Sequence, residues 1–163
     1  MAAEFLPESG GPAGAGVLKG CIGVNRDTKE DGLLPKVPNR APARVARIDH
    51  IQIAAPEGCE AAARDFYGSL LGMKEIEKPP VLRARGGCWF ECGAQQLHIG
   101  VERDFRPARK AHPALAVMHL DALRRALSDH GVAVIDDDSL PGARRFYAED
   151  PWGNRLEFAE VPA

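Results

Sequence analysis

The pattern of residues 47–102 returns in residues 112–160, and this internal repeat constrains the fold more than any other feature of the chain. Residues 47–55 alternate, with Ile51 and Ile53 on one face and Ile48, His50 and Gln52 on the other, as a half-buried strand does. Residues 57–71 carry Ala62, Ala63, Phe66 and Leu70 at helical spacing, and Gly72 closes them as a C-terminal cap. Short strands near residues 74–77 and 87–93 flank Pro79 and Pro80. Residues 95–102 then set Leu97, Ile99 and Val101 against Gln96, His98 and Gly100. Here the order restarts. Residues 112–117 form a strand, residues 121–130 a helix carrying Leu123, Ala126 and Leu127 before Gly131, and residues 132–135 another strand.

The hairpin RRFYAEDPWGNRLEFAE, residues 144–160, completes the second half. Phe146 lies opposite Arg145 and Tyr147, and Leu156 and Phe158 lie opposite Arg155, Glu157 and Ala159, with the turn residues Asp150, Pro151, Gly153 and Asn154 between. Gly72 to Gly131 spans 59 residues, His50 to His112 spans 62, and His98 to Glu157 spans 59. Each half reads β-α-β-β-β. This predicts an α+β fold of two βαβββ modules forming a cup-shaped mixed sheet, with helices on its outer face.

The repeat fills residues 45–163, whereas residues 1–44 are rich in Ala, Gly and Pro and lack either periodicity. They read as a disordered or loosely packed extension, although the apolar Val17, Leu18, Ile22 and Leu33 leave a lid as the rival reading. A net charge of -2 gives no basis for a nucleic-acid surface, and no apolar run is long enough for a membrane span. The opening MAAEFLPESGG has no apolar core of a secretory signal. Cys88 and Cys92 sit four residues apart in one strand, roughly 13 Å at a strand's rise, too far for a disulfide. A reducing cytoplasm fits these residues.

Four side chains with metal-ligating chemistry fall on the first and last strands of the two halves: His50, His98, His112 and Glu157. Each lies on the face opposite its strand's apolar residues. Three imidazoles and a carboxylate suit Zn, Ni, Co, Mn or Fe(II). A single histidine on a wet strand face is usually only solvated. Four at matched places in a duplicated pattern predict one divalent ion, with His98 either a ligand or a hydrogen-bonding neighbour of one. His119 and His130, beside and at the end of the second helix, read as surface or capping residues.

The stretches IDHIQIAA, DFYGSLLGM, QQLHIGV, AHPALAV and FYAEDPWGNRLEF give residues 46–160 a resemblance to the vicinal oxygen chelate superfamily. That superfamily holds glyoxalase I, extradiol dioxygenases, fosfomycin-resistance enzymes, methylmalonyl-CoA epimerase and bleomycin-binding proteins. The resemblance implies paired modules around one divalent metal ion (Zn, Ni, Mn or Fe) and a small-molecule substrate. It also implies a homodimer in which a site can draw ligands from both subunits. Carried over by position, His50, His98, His112 and Glu157 fall on the four ligand strands. The implied activity is lyase, isomerase or epimerase chemistry, a proton transfer through a metal-stabilised enediolate.

Two alternatives stand beside it: an Fe(II) extradiol ring-cleaving dioxygenase, and a non-catalytic drug- or metabolite-binding resistance protein. Glyoxalase I usually has a glutamate where this chain has His98. The dioxygenases share a tyrosine ten residues before the glutamate, here Tyr147, but carry an acid-base histidine shortly before it, where this chain reads DDDSLPGARR. The bleomycin-binding branch lacks the ligands that this chain keeps.

Arg145 and Tyr147 share a face with Glu157. Arg145 is therefore a candidate for binding an anionic or enolic oxygen, and Tyr147 together with Glu157 for moving the proton, with rim residues as the alternative reading. Trp89 lies off the core face of its strand and is a candidate pocket wall, whereas its neighbour Glu91 reads as solvated. Arg106 and Arg109, in the linker between the halves, read more readily as solvated than as an anion clamp.

Overall fold

Alternation along the strands resolves into two four-stranded sheets in a computed structural model, which describes residues 42–161. Almost all of the extension read over residues 1–44 lies outside the described residues, and every element below belongs to the unit Arg44–Ala163. The first module comprises β1 (His50–Ala55), α1 (Glu60–Ala63) running into a π-helical stretch (Arg64–Leu70), β2 (Glu75–Ile76), α2 (Pro80–Arg83), β3 (Trp89–Cys92) and β4 (Gln95–Val101). The second comprises β5 (Ala114–Val117), α3 (Leu120–Asp129), β6 (Val134–Asp136), β7 (Arg145–Glu149) and β8 (Arg155–Glu160). The sheet orders are β1-β4-β3-β2 and β5-β8-β7-β6, with the outer pair parallel and the rest antiparallel in each. This is the expected pair of βαβββ modules.

The register shows how closely the halves repeat. Gln52 pairs with His98 in the first module and Ala114 with Glu157 in the second. Trp89 lies opposite His98, and Tyr147 lies opposite Glu157. Phe90, Leu97, Ile99, Phe146, Leu156 and Phe158 point to the other face and are at most 1% exposed. Burying each such side chain contributes about 1.5–3 kcal/mol. Phe66 and Tyr67 of the first helix join this core, Tyr67 against Phe90 at 5.9 Å between ring centroids.

Three local features differ from the sequence reading, two of them set by proline. The first helix widens into a π-helix, with the Leu71 amide bonded to the Phe66 carbonyl five residues back. It ends as expected at Gly72, whose φ of +71° only glycine adopts without strain. Pro79 and Pro80 do not merely break the chain. Pro80, its φ preset and its missing amide harmless there, starts the short helix α2. Finally, β5 begins at Ala114 rather than His112, because Pro113 has no amide to give a ladder.

The two modules are tied together by the turn between β7 and β8. Asp150 takes the amides of Trp152 and Asn154 on Oδ1 (3.0 and 2.8 Å), and the Tyr67 hydroxyl and Asn154 Nδ2 on Oδ2 (3.0 and 2.7 Å). Asn154 Nδ2 also donates to the Ala54 carbonyl of β1 at 2.9 Å, and its Oδ1 accepts the Ala108 amide at 2.9 Å. Asp150 and Asn154 are 5% and 2% exposed, so these bonds replace water outright.

Candidate metal centre

The second module supplies the tighter half of the site. Glu157, central in β8 and 9% exposed, presents Oε2 to His112 Nε2 at 3.0 Å. His112 Nδ1 lies 2.9 Å from the Lys110 carbonyl. A carbonyl only accepts, so Nδ1 carries a proton, and in the neutral ring Nε2 holds the lone pair. A doubly protonated ring donates Nε2–H to Glu157, whereas a neutral one leaves two acceptors side by side, a pair that a cation can bridge. Ligands on adjacent vertices of an octahedral ion with bonds of about 2.1 Å stand about 3 Å apart. The donor set and its spacing therefore fit a divalent ion, and the Lys110 carbonyl fixes the ring as an outer partner does in metal sites.

Around this pair the polar groups form a chain. Arg145 Nη1 donates to Glu157 Oε1 at 3.0 Å, and Nη2 donates to Asp137 at 2.8 Å and to the Ser139 hydroxyl at 3.1 Å. Arg145 Nε is buried without a partner. Burial pushes the Glu157 carboxyl up, but the bonds from His112 and Arg145 outweigh it and hold the group below its ordinary value. Tyr147 packs edge-on against His112, with centroids 5.4 Å apart, and the Arg155 guanidinium lies 3.7 Å from its ring centre. Burial first, then Glu157 and a hydrogen bond to Asp137, push its phenol up, so it stays a proton donor at neutral pH.

The first module holds the other two imidazoles. His98, 5% exposed, is stacked between Trp89 (4.0 Å, 5°) and His50 (4.4 Å, 18°). Its Nε2 lies 2.8 Å from Gln96 Oε1, and His50 Nδ1 lies 3.2 Å from the exposed Asp49 carboxylate. Burial above all, then His50 and Lys78, push the His98 ring down, so it is neutral and able to ligate. In stacked rings the lone pairs run nearly parallel and do not meet. His50, on the first residue of β1 with its side chain 47% exposed, must turn for both to reach one ion.

All seven expected site residues thus fall into two groups: His50 and His98 beside Trp89, and His112 and Glu157 beside Arg145 and Tyr147. Among the described residues of one chain, no three His, Cys, Asp or Glu side chains are grouped to hold a metal. His130 caps α3 through the Ala126 carbonyl, and His119 precedes that helix in a left-handed conformation, as surface residues. Asp137 and Ser139 were missed by the sequence reading. Only their place in the DDDS run before the hairpin marked them. Gln96, by contrast, was visible as the face-mate of His98.

A family model for the Glyoxalase/Bleomycin resistance protein/Dioxygenase superfamily matches residues 47–158. The chain is 52% identical to a Bacillus anthracis protein assigned to the glyoxalase family, with a TM-score of 0.72 over 75% of this chain and 100% of that one. A lactoylglutathione lyase from Agrobacterium tumefaciens (20% identity, TM-score 0.57, 72% of this chain and 96% of that one) shares the fold. So does a glyoxalase/dioxygenase from Nostoc punctiforme (20% identity, TM-score 0.60, 76% and 100%). No curated protein matches the chain. With the family model covering most of the two modules and a half-identical glyoxalase-family structure spanning both, the chain belongs to the Glyoxalase/Bleomycin resistance protein/Dioxygenase superfamily.

Proposed function

We propose that the protein is a divalent-metal-dependent enzyme that moves a proton on a small oxygenated metabolite, in a lyase, isomerase or epimerase reaction. The observation that carries this reading is the pairing of His112 Nε2 with Glu157 Oε2 at 3.0 Å, an imidazole and a carboxylate that a cation would bridge once the ring is neutral. His50 and His98 sit at the matching places of the first module, and the two pairs lie on separate sheets. A homodimer that sets the first module of one chain against the second module of its partner would complete a four-ligand centre.

A bound ion there supplies Lewis acidity that polarises neighbouring substrate oxygens. The chain's own residues supply the rest. Arg145 holds Glu157 Oε1 and so fixes which oxygen the carboxylate presents. Tyr147, kept protonated, donates to a substrate oxygen, while ionised Glu157 accepts the proton. Trp89 walls the first-module side. The three described cysteines, Cys59, Cys88 and Cys92, are free thiols.

A ring-cleaving Fe(II) dioxygenase is the second reading, favoured by Tyr147 lying directly across from Glu157. Metal analysis of protein purified without added ions, with oxygen uptake on catechols, separates the two. Zinc, nickel or manganese without oxygen uptake supports proton transfer, and iron with catechol-dependent uptake supports ring cleavage. Metal content unchanged in both His112→Ala and Glu157→Gln would refute the centre itself.

A further inference from the structure

We propose that a cavity on the first module, beside the His50–His98 pair, is a subsite for the anionic group of a short-chain substrate, a carboxylate or a phosphate. This deepens the reading above and rests on it only for the chemistry done next door. The cavity encloses about 250 Å³ and is lined by Gln52, Lys78, Arg85, Trp89 and Gly100, among others. Two cations line it and no carboxylate does. Arg83, on the short helix α2 between Lys78 and Arg85, pairs with Glu77. Among the described residues neither Lys78 nor Arg85 has an acidic partner within ion-pair distance.

Lys78 is tethered rather than neutralised. Its ammonium donates to the Gly86 carbonyl and stands 6.0 Å from the centre of the Trp89 ring. An ammonium has three donors, so two remain for a ligand. The rim that places it is pressed onto β4: a Cβ on Gly86 would come within 2.8 Å of the Val101 side chain.

Gln52 completes the floor. A Cβ on Gly100 would lie 2.6 Å from Gln52 Nε2 and 2.7 Å from its Cδ, so the amide lies flat across the bare Cα of Gly100. That amide has no hydrogen-bond partner among the described residues, and its residue is in register with His98. The cavity wall formed by Trp89 is the same indole that stacks on His98. An anion held by Lys78, Arg85 and Gln52 therefore carries its neighbouring oxygens toward the imidazole pair. The space equals roughly eight water molecules, which suits the charged end of an oxo- or hydroxy-acid of a few carbons, or its phosphate counterpart.

The test titrates the full chain, metal-stripped and metal-loaded, with glycolate, malonate, inorganic phosphate and uncharged glycolamide. Heat of binding and tryptophan fluorescence are the two readouts. The anions bind and glycolamide does not, and the stronger of carboxylate and phosphate names the source of the charge. Lys78→Met and Arg85→Met each weaken anion binding by about tenfold or more in the metal-stripped protein, as loss of a charge-assisted bond does. Gly100→Ala weakens it while leaving both charges in place, and Arg106→Met, in a different cleft, leaves it unchanged. Anions that fail to bind stripped protein, or that ignore both Lys78→Met and Arg85→Met, overturn the subsite. If the protein takes up no metal but the anion still depends on Lys78 and Arg85, the subsite stands and the metal reading falls.

Discussion

Asn154→Ala removes the joint between the modules without touching a strand. The side chain makes three bonds: 2.9 Å to the Ala54 carbonyl, 2.7 Å to Asp150 Oδ2 and 2.9 Å from the Ala108 amide. At about 1 kcal/mol per bond the loss is about 3 kcal/mol, and partners stranded without water make that a lower figure rather than an upper one. At ~3–5 °C per kcal/mol for a domain of this size, the melting temperature falls by about 10–15 °C. Urea unfolding followed by circular dichroism measures it directly. Glu149→Gln, an exposed residue of the same hairpin, serves as the control and stays within ~0.5 kcal/mol of wild type. A loss below about 1 kcal/mol for Asn154→Ala would show that water replaces the joint at little cost. The account of how the modules are held would then be wrong.

Three further outcomes follow from the geometry. Gly87→Ala destabilises by about 2 kcal/mol or more, because its φ is +78° and a Cβ would sit 2.0 Å from the Ile99 carbonyl oxygen. Urea midpoints within ~0.3 kcal/mol of wild type contradict this. Asp137 is held down to about 2 by the Ser139 hydroxyl and amide first, with Tyr147 and Arg145 adding to them. Its contribution to stability is complete above its ordinary 3.8 and disappears as pH falls through about 2. Asp137→Asn should flatten the acid limb of the stability curve in that window, and an unchanged limb refutes the assignment. In metal-free protein His98 titrates below 6.5, and Lys78→Met moves it upward. An imidazole proton resonance titrating at or above 6.5 in wild type would show that the stack does not exclude water.

The strand faces were legible because period-two alternation survives wherever one face is buried. Leu97 against His98 and Phe158 against Glu157 announced both the core and the candidate ligands. The repeat distances of 59 and 62 residues anticipated the register in which Gln52 and Ala114 oppose His98 and Glu157. What lay hidden were long-range uses of residues whose local meaning was already satisfied. Asp150 and Asn154 read as turn formers, and nothing local told that Asn154 reaches a carbonyl 100 residues away. Pro79 and Pro80 read only as the spacer between two short strands, because proline stops a helix as readily as it starts one. Arg145 read as a hand for substrate, yet its two Nη groups are bonded to Glu157, Asp137 and Ser139, a choice of partner that face assignment cannot reveal.

A chain made by doubling must still distinguish its halves, and the β7–β8 turn does so. The hairpin of the first module closes through Gly93 and Ala94, which have no polar side chain with which to grip anything. The hairpin of the second closes through Asp150–Asn154, which takes hold of Tyr67, Ala54 and Ala108. The two turns therefore carry unequal mutational loads. Substitutions at 93 and 94 disturb one hairpin, whereas those at 150 and 154 also disturb the opposite half of the molecule. Drift after duplication is thus permitted on one side and penalised on the other.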